Sequence, residues 1–330
     1  GMGSDGTRGL RAIKEKTGLS LVQEPISAKF DGMPRSAIDA GLADIVAPVE
    51  ELPGMIRDYL GRHRLVSVTE RSSVPKNRSA LEKIFAILRH KTGQDFTQYK
   101  RNTIYRRVER RISLHKIDGI GPYVEFLKKN PQEVELLFKE LLIGVTRFFR
   151  DGEVWEQLAK DAIPALLLNK FNRQLRAWVP ACSTGEEAYS LAIVFKEAIN
   201  RLQPGANCSL QIFATDIDRD AIDKARRGVY PLRIEEEVSP ERLQRFFFKE
   251  DNSYRVNKEI REMVIFAPQN VIMDPPFTKL DLLSCRNLLI YLAPELQKKL
   301  LPLFHYSLNP GGVLVLGSAE SIGSFGDLFS

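Results

Sequence analysis

Residues 176–195 read RAWVPACSTGEEAYSLAIVF, and the way this stretch is parsed decides the fold. An apolar run, Ala177-Trp178-Val179, breaks at Pro180 and passes through the small residues Ala181, Cys182, Ser183, Thr184 and Gly185. From Glu186 onward apolar residues recur at helical spacing. Strand, tight turn and helix in that order form the opening unit of a doubly wound α/β sheet. In such sheets the first turn opens a crevice beyond the carboxyl end of its strand. Small residues there let a ligand approach the backbone, and the helix N-terminus offers N–H groups.

Charge narrows what binds. Glu186 and Glu187 lie in the first helical turn, where they suit the helix dipole but would repel a pyrophosphate. Neither GxGxxG nor GxxxxGK[ST] occurs at this turn, so dinucleotide and triphosphate readings lose support. A carboxylate here suits a ligand with a cationic end, such as the ammonium or sulfonium of S-adenosylmethionine. One βα unit later Leu210 to Asp216, LQIFATD, reads as a strand ending in an acid, placed to accept both hydroxyls of a ribose. Singly, the two glutamates could be no more than acids of a helix start, and Asp216 the N-cap of the helix from Ala221 to Arg226. Together they favour a nucleoside site.

Three segments carry a family resemblance: ACSTGEEAYSLA (181–192), FATDIDRDAIDKARRGVY (213–230) and CRNLLIYL (285–292). They resemble the methyl-donor-binding motifs of the CheR family of chemotaxis receptor methyltransferases, which are protein-glutamate O-methyltransferases. The similarity runs from about Ala80 to the end of the chain. It implies a doubly wound class I methyltransferase sheet with an inserted β-hairpin subdomain, preceded by a small all-helical domain. It also implies S-adenosyl-L-methionine as donor, S-adenosyl-L-homocysteine as product, and Cys182, Glu187 and Asp216 as donor-binding residues.

Bulk properties agree with such an enzyme. At 330 residues, 43% hydrophobic and 27% charged, the chain has room for two or three domains with real cores. Three cysteines without a CxxC pair and four scattered histidines argue against a disulfide framework and a metal site, and suggest a reducing cytoplasm. No apolar run reaches membrane-spanning length, so no membrane insertion is expected. The net charge of +6 is compatible with an acidic partner.

Residues 1–60 begin with GMGSDG and continue as alternating short helices and strands, which reads as the last part of an α/β domain cut in mid-domain. The stretch resembles the carboxyl end of the CheB family of receptor methylesterases. On that resemblance Asp5 matches the aspartate of a Ser-His-Asp triad whose other members precede this point in the family. An aspartate alone orients an imidazole and attacks nothing, so this segment is expected to lack esterase activity. Without the surrounding match Asp5 would read equally well as an Asx-turn residue. Residues 61–78 are polar without an apolar period and read as a linker.

Residues 79–150 show helical spacing and read as a small helical domain. Within YKRNTIYRRVERRISLHK (99–116), Ile104, Val108 and Ile112 share one stripe, and Arg106, Arg107, Arg110 and Arg111 are expected to form a positive ridge beside it. Such a ridge could be a plain solvated face, or could track phosphates. Few stacking aromatics accompany it, so nucleic acid is not the expected partner. It could also align an acidic helical surface. The resemblance favours this last reading, with the acidic helical cytoplasmic region of chemotaxis-type receptors as partner.

Ile143 to Asp151 resembles the family's N-x-T-x-F-F-R element; Thr146 and Arg150 match, and Gly144 stands where many members carry asparagine. Arg150 could alternatively serve an interdomain salt bridge. Residues from about 230 to 262 read as an inserted hairpin with a short, glycine-free turn at Asp251-Asn252-Ser253, so strong binding of a receptor tether is not expected. By family match Asn270 and Val271 lie on the adenine side, Arg286 and Asn287 against the donor, and Tyr291 near the transferring methyl. Arg150 and Tyr291 are the expected catalytic pair, in a methyltransferase domain spanning 151–330. Asp274-Pro275-Pro276-Phe277 offers a competing likeness to the catalytic loop of DNA amino-methyltransferases. There, however, the loop follows the buried strand, whereas here the strand (280–285) comes afterwards. Asn309-Pro310-Gly311-Gly312 marks a turn before a last strand, after which the family usually adds one more. A donor-binding sensor without turnover is the other alternative.

Overall fold

A computed structural model describes residues 6–7, 9, 10, 13, 18–40, 42–142, 144–168, 174–202 and 208–329, without the side chains of 58, 59 and 61–78. Asp5 lies outside the described residues. The chain divides into two compact units, Gly1–Val145 and Thr146–Ser330.

In the first unit β1 (Leu21–Gln23) and β2 (Ile45–Ala47) pair in parallel, with the helix Gly32–Asp39 between them. One helix then runs from Leu52 to Thr92 and closes on Gly93, whose left-handed φ of 74° suits a residue without Cβ. Its backbone stays helical through 61–78, where a linker was expected. The helical backbone carries Pro75 within it, so the polar stretch joins its neighbours as helix and not as extended chain. The helices Arg101–Leu114, Ile120–Lys129 and Pro131–Leu142 complete the helical domain. Ile84, Leu88, Ile104, Val108, Leu127 and Leu137 form its core at the expected spacing.

In the second unit five strands make one sheet: β3 (Gln174–Pro180), β4 (Ser209–Asp216), β8 (Val264–Pro268), β9 (Leu280–Cys285) and β10 (Leu308–Leu316). All neighbours are parallel, in the order β10-β9-β3-β4-β8. The chain builds outward from β3 in one direction, then returns to its other side. That is the doubly wound topology, with the switch point between β3 and β9. All six residues of β9 are buried, as a central parallel strand covered on both faces requires. The helix Glu186–Leu202 packs on the sheet through Ala188, Leu191, Ala192 and Phe195.

The insert differs from the expected hairpin. β6 (Phe247–Glu250) and β7 (Ser253–Val256) do form one, but β5 (Val229–Pro231) adds to β7 as a third antiparallel strand. Asn-Pro-Gly-Gly lies inside β10, where it produces a register shift between Leu308 and Val313 rather than a turn before the strand. Among the described residues no helix is long and apolar enough to cross a membrane.

Candidate functional site

The turn after β3 is built from left-handed backbone at Ala181 (φ 55°), Ser183 (φ 49°) and Gly185 (φ 95°). This winding turns the Cys182 N–H onto the Thr215 carbonyl (2.9 Å) and the Ser183 N–H onto Asp216 Oδ2 (2.8 Å). Asp216 Oδ1 accepts the Asp218 N–H at 2.9 Å. The N-cap of the next helix is Asp218, which accepts from Asp220 and Ala221. Asp216 is therefore not a helix cap; its carboxylate closes the mouth of the turn. Burial raises its pKa, with the N–H donors of Asp218 and Ser183 opposing. Gly185 serves packing more than ligand approach: a Cβ there would sit 2.8 Å from Ala225 Cβ and 3.0 Å from the Phe266 ring.

The two glutamates divide their roles. Glu186 stays local, accepting the Thr184 hydroxyl at 2.7 Å. Glu187 turns inward, where it accepts the Ser284 hydroxyl at 2.8 Å and lies 3.7 Å from Arg286 Nη1. Burial pushes its pKa up to about 7, against the pull of Arg286 and Ser284. Cys182 is buried, and burial beside Asp216, Glu187 and Glu186 pushes its thiol well above the usual value, so it stays protonated. The Arg286 side chain is fully buried. Its Nη2 donates to the Arg150 carbonyl (2.7 Å) and to Asp151 (2.9 Å), and the guanidinium lies over Trp155. Among the described residues its Nε and Nη1, with Ser183 Oγ, are buried polar atoms without a hydrogen bond, Nη1 having only the ion-pair contact to Glu187.

The crevice thus gathers two buried carboxylates, both close enough to Cys182 to raise its pKa, and a buried guanidinium whose Nη1 stands at ion-pair distance from Glu187. That donor set fits an amino-acid end, with its ammonium toward Glu187 and carboxylate toward Arg286, and a sugar diol toward Asp216. A carboxylate offers about four lone-pair directions, and Asp216 has used two. S-adenosylmethionine presents those groups.

The 146–151 loop is held from three sides. The Phe148 N–H donates to Glu237 (3.0 Å), the Phe149 N–H to Ser190 Oγ (3.0 Å), and Trp155 Nε1 to the Arg150 carbonyl (2.8 Å). Phe149 adopts φ 48° and lies under the Arg242 guanidinium at 4.1 Å. Thr146 and Arg150 are half-buried on this loop. Asn270 and Val271 follow β8, beside Asp216 through the Gln269 N–H to Asp216 carbonyl bond (2.9 Å). The Asn270 side-chain oxygen accepts from Ile272 and Met273, an Asx turn. Asn287 takes a left-handed φ of 60°, and Tyr291 is half-buried on the 3₁₀ turn Leu289–Tyr291. Phe277 stacks on Phe213 at 4.5 Å, so the Asp-Pro-Pro-Phe segment packs against the sheet ahead of β9.

The four arginines do not make one exposed ridge. Arg107 and Arg110 are buried at 2% and 3% exposure and both engage Glu140; Arg107 also reaches the Glu140 carbonyl at 2.6 Å. Arg111 donates from Nε and Nη2 to Glu133, which also accepts the Tyr123 hydroxyl. Arg106 alone of the four is exposed. The helix meets the acids of Pro131–Leu142 with that face, Arg110 also pairing with the buried Asp44, and partners on other elements are invisible to periodicity. Sequence reading also passed over Ser183, Ser284 and Asp151, which complete the crevice. For Ser284 the signal was one hydroxyl residue near the end of an apolar strand.

Residues 144–330 match the family described as CheR methyltransferase, SAM binding domain, and residues 79–142 its all-alpha domain. Residues 1–56 match CheB methylesterase. The chain is 38% identical over its whole length to an "Uncharacterized 104.1 kDa protein in hypE 3'region" of Rhodobacter capsulatus, and spans 37% of that protein. It is 31% identical to a chemotaxis protein methyltransferase of Listeria innocua (72% of this chain, 87% of that one). To the chemotaxis protein methyltransferase of Salmonella typhimurium it is 30% identical (81% and 91%). A solved glycopeptide N-methyltransferase, MtfA with sinefungin, is 11% identical over 52% of this chain and 54% of its own, with a TM-score of 0.29, too slight a likeness to argue from. With its five-stranded doubly wound sheet, its acid-lined turn and a family match over more than half its length, the chain belongs to the CheR methyltransferase family.

Proposed function

We propose that this chain transfers the methyl group of S-adenosylmethionine to glutamate side chains of chemotaxis-type receptors, giving carboxyl methyl esters and S-adenosylhomocysteine, and that it acts in the cytoplasm. The observation that carries the reading is the gathering of the Glu187 and Asp216 carboxylates and the buried Arg286 guanidinium, whose Nε and Nη1 make no hydrogen bond among the described residues, around one strand-end turn. The Listeria and Salmonella relatives bear the name chemotaxis protein methyltransferase, which supports a protein of the chemotaxis system as substrate.

When bound, S-adenosylmethionine supplies an electrophilic methyl on a sulfonium. Asp216 takes the ribose hydroxyls, Glu187 the ammonium, and Arg286 with Ser183 the carboxylate. Cys182, Asn270, Val271 and Asn287 line the nucleoside and methionine ends, and Thr146 closes the side toward Arg150. A substrate glutamate is already ionised at neutral pH, so no general base is required. The chain's task is alignment and exclusion of water. Arg150 orients the incoming carboxylate, and Tyr291 faces the sulfonium. Arg106, the exposed member of its cluster, meets the acidic helical region of the receptor.

The test is incubation with methyl-labelled donor and either a receptor cytoplasmic domain or duplex DNA. Base-labile label in the receptor is expected. Label in DNA, or donor binding without transfer to either, overturns the reading.

A further inference from the structure

We propose that Glu320 is a positioning residue of the donor site, its carboxylate holding the segment Arg286–Tyr291 in the shape that meets the methyl donor. The inference rests on reading Asn287 and Tyr291 as donor-facing. Glu320 Oε2 accepts the N–H of Asn287 at 2.8 Å and of Gly317 at 2.7 Å; Oε1 accepts the N–H of Leu289 at 2.7 Å. One side chain thereby ties the loop after β9 to the loop after β10. N–H bonds to an ionised carboxylate are among the strong ones, and three converge here.

The surrounding residues are shaped for this contact. Asn287 sits at φ 60°, a conformation asparagine tolerates better than most residues, which turns its N–H onto Glu320. A Cβ on Gly317 would fall 2.7 Å from Glu320 Oε2 and 3.1 Å from Asn287 Nδ2, so the carboxylate occupies space that only glycine leaves. The Glu320 N–H returns to the Gly317 carbonyl at 2.9 Å, closing a tight turn around the pair. Leu289 opens the 3₁₀ turn that carries Tyr291, and its N–H is one of the orphan donors such a turn leaves. Arg286, one residue before this clamp, keeps its Nη2 on Asp151 and its Nη1 3.7 Å from Glu187. Nothing in the transfer chemistry itself uses Glu320. Its charge also helps to raise the pKa of Glu187, which places the two carboxylates in one electrostatic neighbourhood.

The experiment compares the full chain with Glu320→Ala and Glu320→Gln by S-adenosylhomocysteine calorimetry, amide hydrogen exchange and melting. For Glu320→Ala the expected result is binding weakened tenfold or more, with fast exchange confined to 286–292 and 317–320 while β4 and the helix Glu186–Leu202 stay protected. Glu320→Gln, which keeps one acceptor oxygen, is expected to fall between and to lower the pH midpoint of binding by removing a charge near Glu187. Unchanged affinity and exchange in Glu320→Ala would overturn the proposal. So would protection lost uniformly through the sheet, since Glu320 would then be a general stability residue. If the unaltered chain fails to bind S-adenosylhomocysteine, the donor reading fails by itself, and the exchange pattern still decides whether Glu320 holds the segment.

Discussion

Donor binding should be coupled to the protonation of Glu187. Burial raises this carboxyl to about 7, so near neutrality about half of the empty chains carry it as the acid. A cationic ammonium beside it stabilises the carboxylate, so binding must expel the proton. With an empty-state pKa near 7 and a much lower one in the complex, affinity should rise about eightfold between about pH 6 and about pH 7.5, or roughly 1 kcal/mol. The folded state without donor runs the other way. Between the ordinary glutamate value and about 7 the native chain holds a proton that the unfolded chain has lost. Stability therefore falls as pH rises through that window, by about 3 kcal/mol in all. Calorimetry with S-adenosylhomocysteine in two buffers of different ionisation enthalpy reads the released proton directly, about half an equivalent near pH 7. Glu187→Gln should abolish the release, weaken binding and raise the melting temperature of the donor-free chain at pH 8. Affinity that is flat with pH and independent of buffer, with Glu187→Gln no more stable than the parent, would refute the coupling.

Arg110→Ala strands the buried Asp44 carboxylate and leaves Glu140 with Arg107 alone, and should destabilise the chain by about 3 kcal/mol; a urea midpoint equal to that of the parent would show the arginine to be dispensable, whereas Arg106→Ala should leave stability within about 0.5 kcal/mol. Gly185→Ala forces a Cβ to 2.8 Å from Ala225 at φ 95° and should cost about 1–3 kcal/mol, read as a lower melting temperature. Asp216→Ala leaves the Ser183 and Asp218 N–H groups without their acceptor and removes the carboxylate proposed to take the ribose. It should weaken S-adenosylhomocysteine binding by tenfold or more, about 1.5–3 kcal/mol, and an unchanged dissociation constant would remove Asp216 from the site.

The parts of the fold written locally were legible. The β3 turn could be read because an apolar run, five small residues and a helix start are contiguous, and Asp216 because a strand ending in an acid is a local pattern. What depends on distant partners was not. Arg107 and Arg110 lie three apart on one helix, and periodicity says they share a neighbourhood. Only the fold says that the neighbourhood holds Glu140, some thirty positions further on. β5 has three residues, too few for alternation to register, so a hairpin was expected where three strands lie. Polar composition marked 61–78 as a linker, and composition gave no hint that its backbone is helical, since it bears on burial more than on backbone shape. Glu320 was silent in the sequence because its worth lies in the N–H groups that converge on it.

The three-stranded insert is stitched to the 146–150 loop of its own unit. Phe148 packs edge-on against Tyr230 and Phe247, and Glu237 holds the Phe148 N–H. Arg242 bridges Phe149 and Glu197. The insert is therefore no detachable accessory: exchanging it between family members would carry 146–150 along as part of the graft, and a chimera that ignored this seam would cut the ring packing and the Glu237 bond that hold that loop.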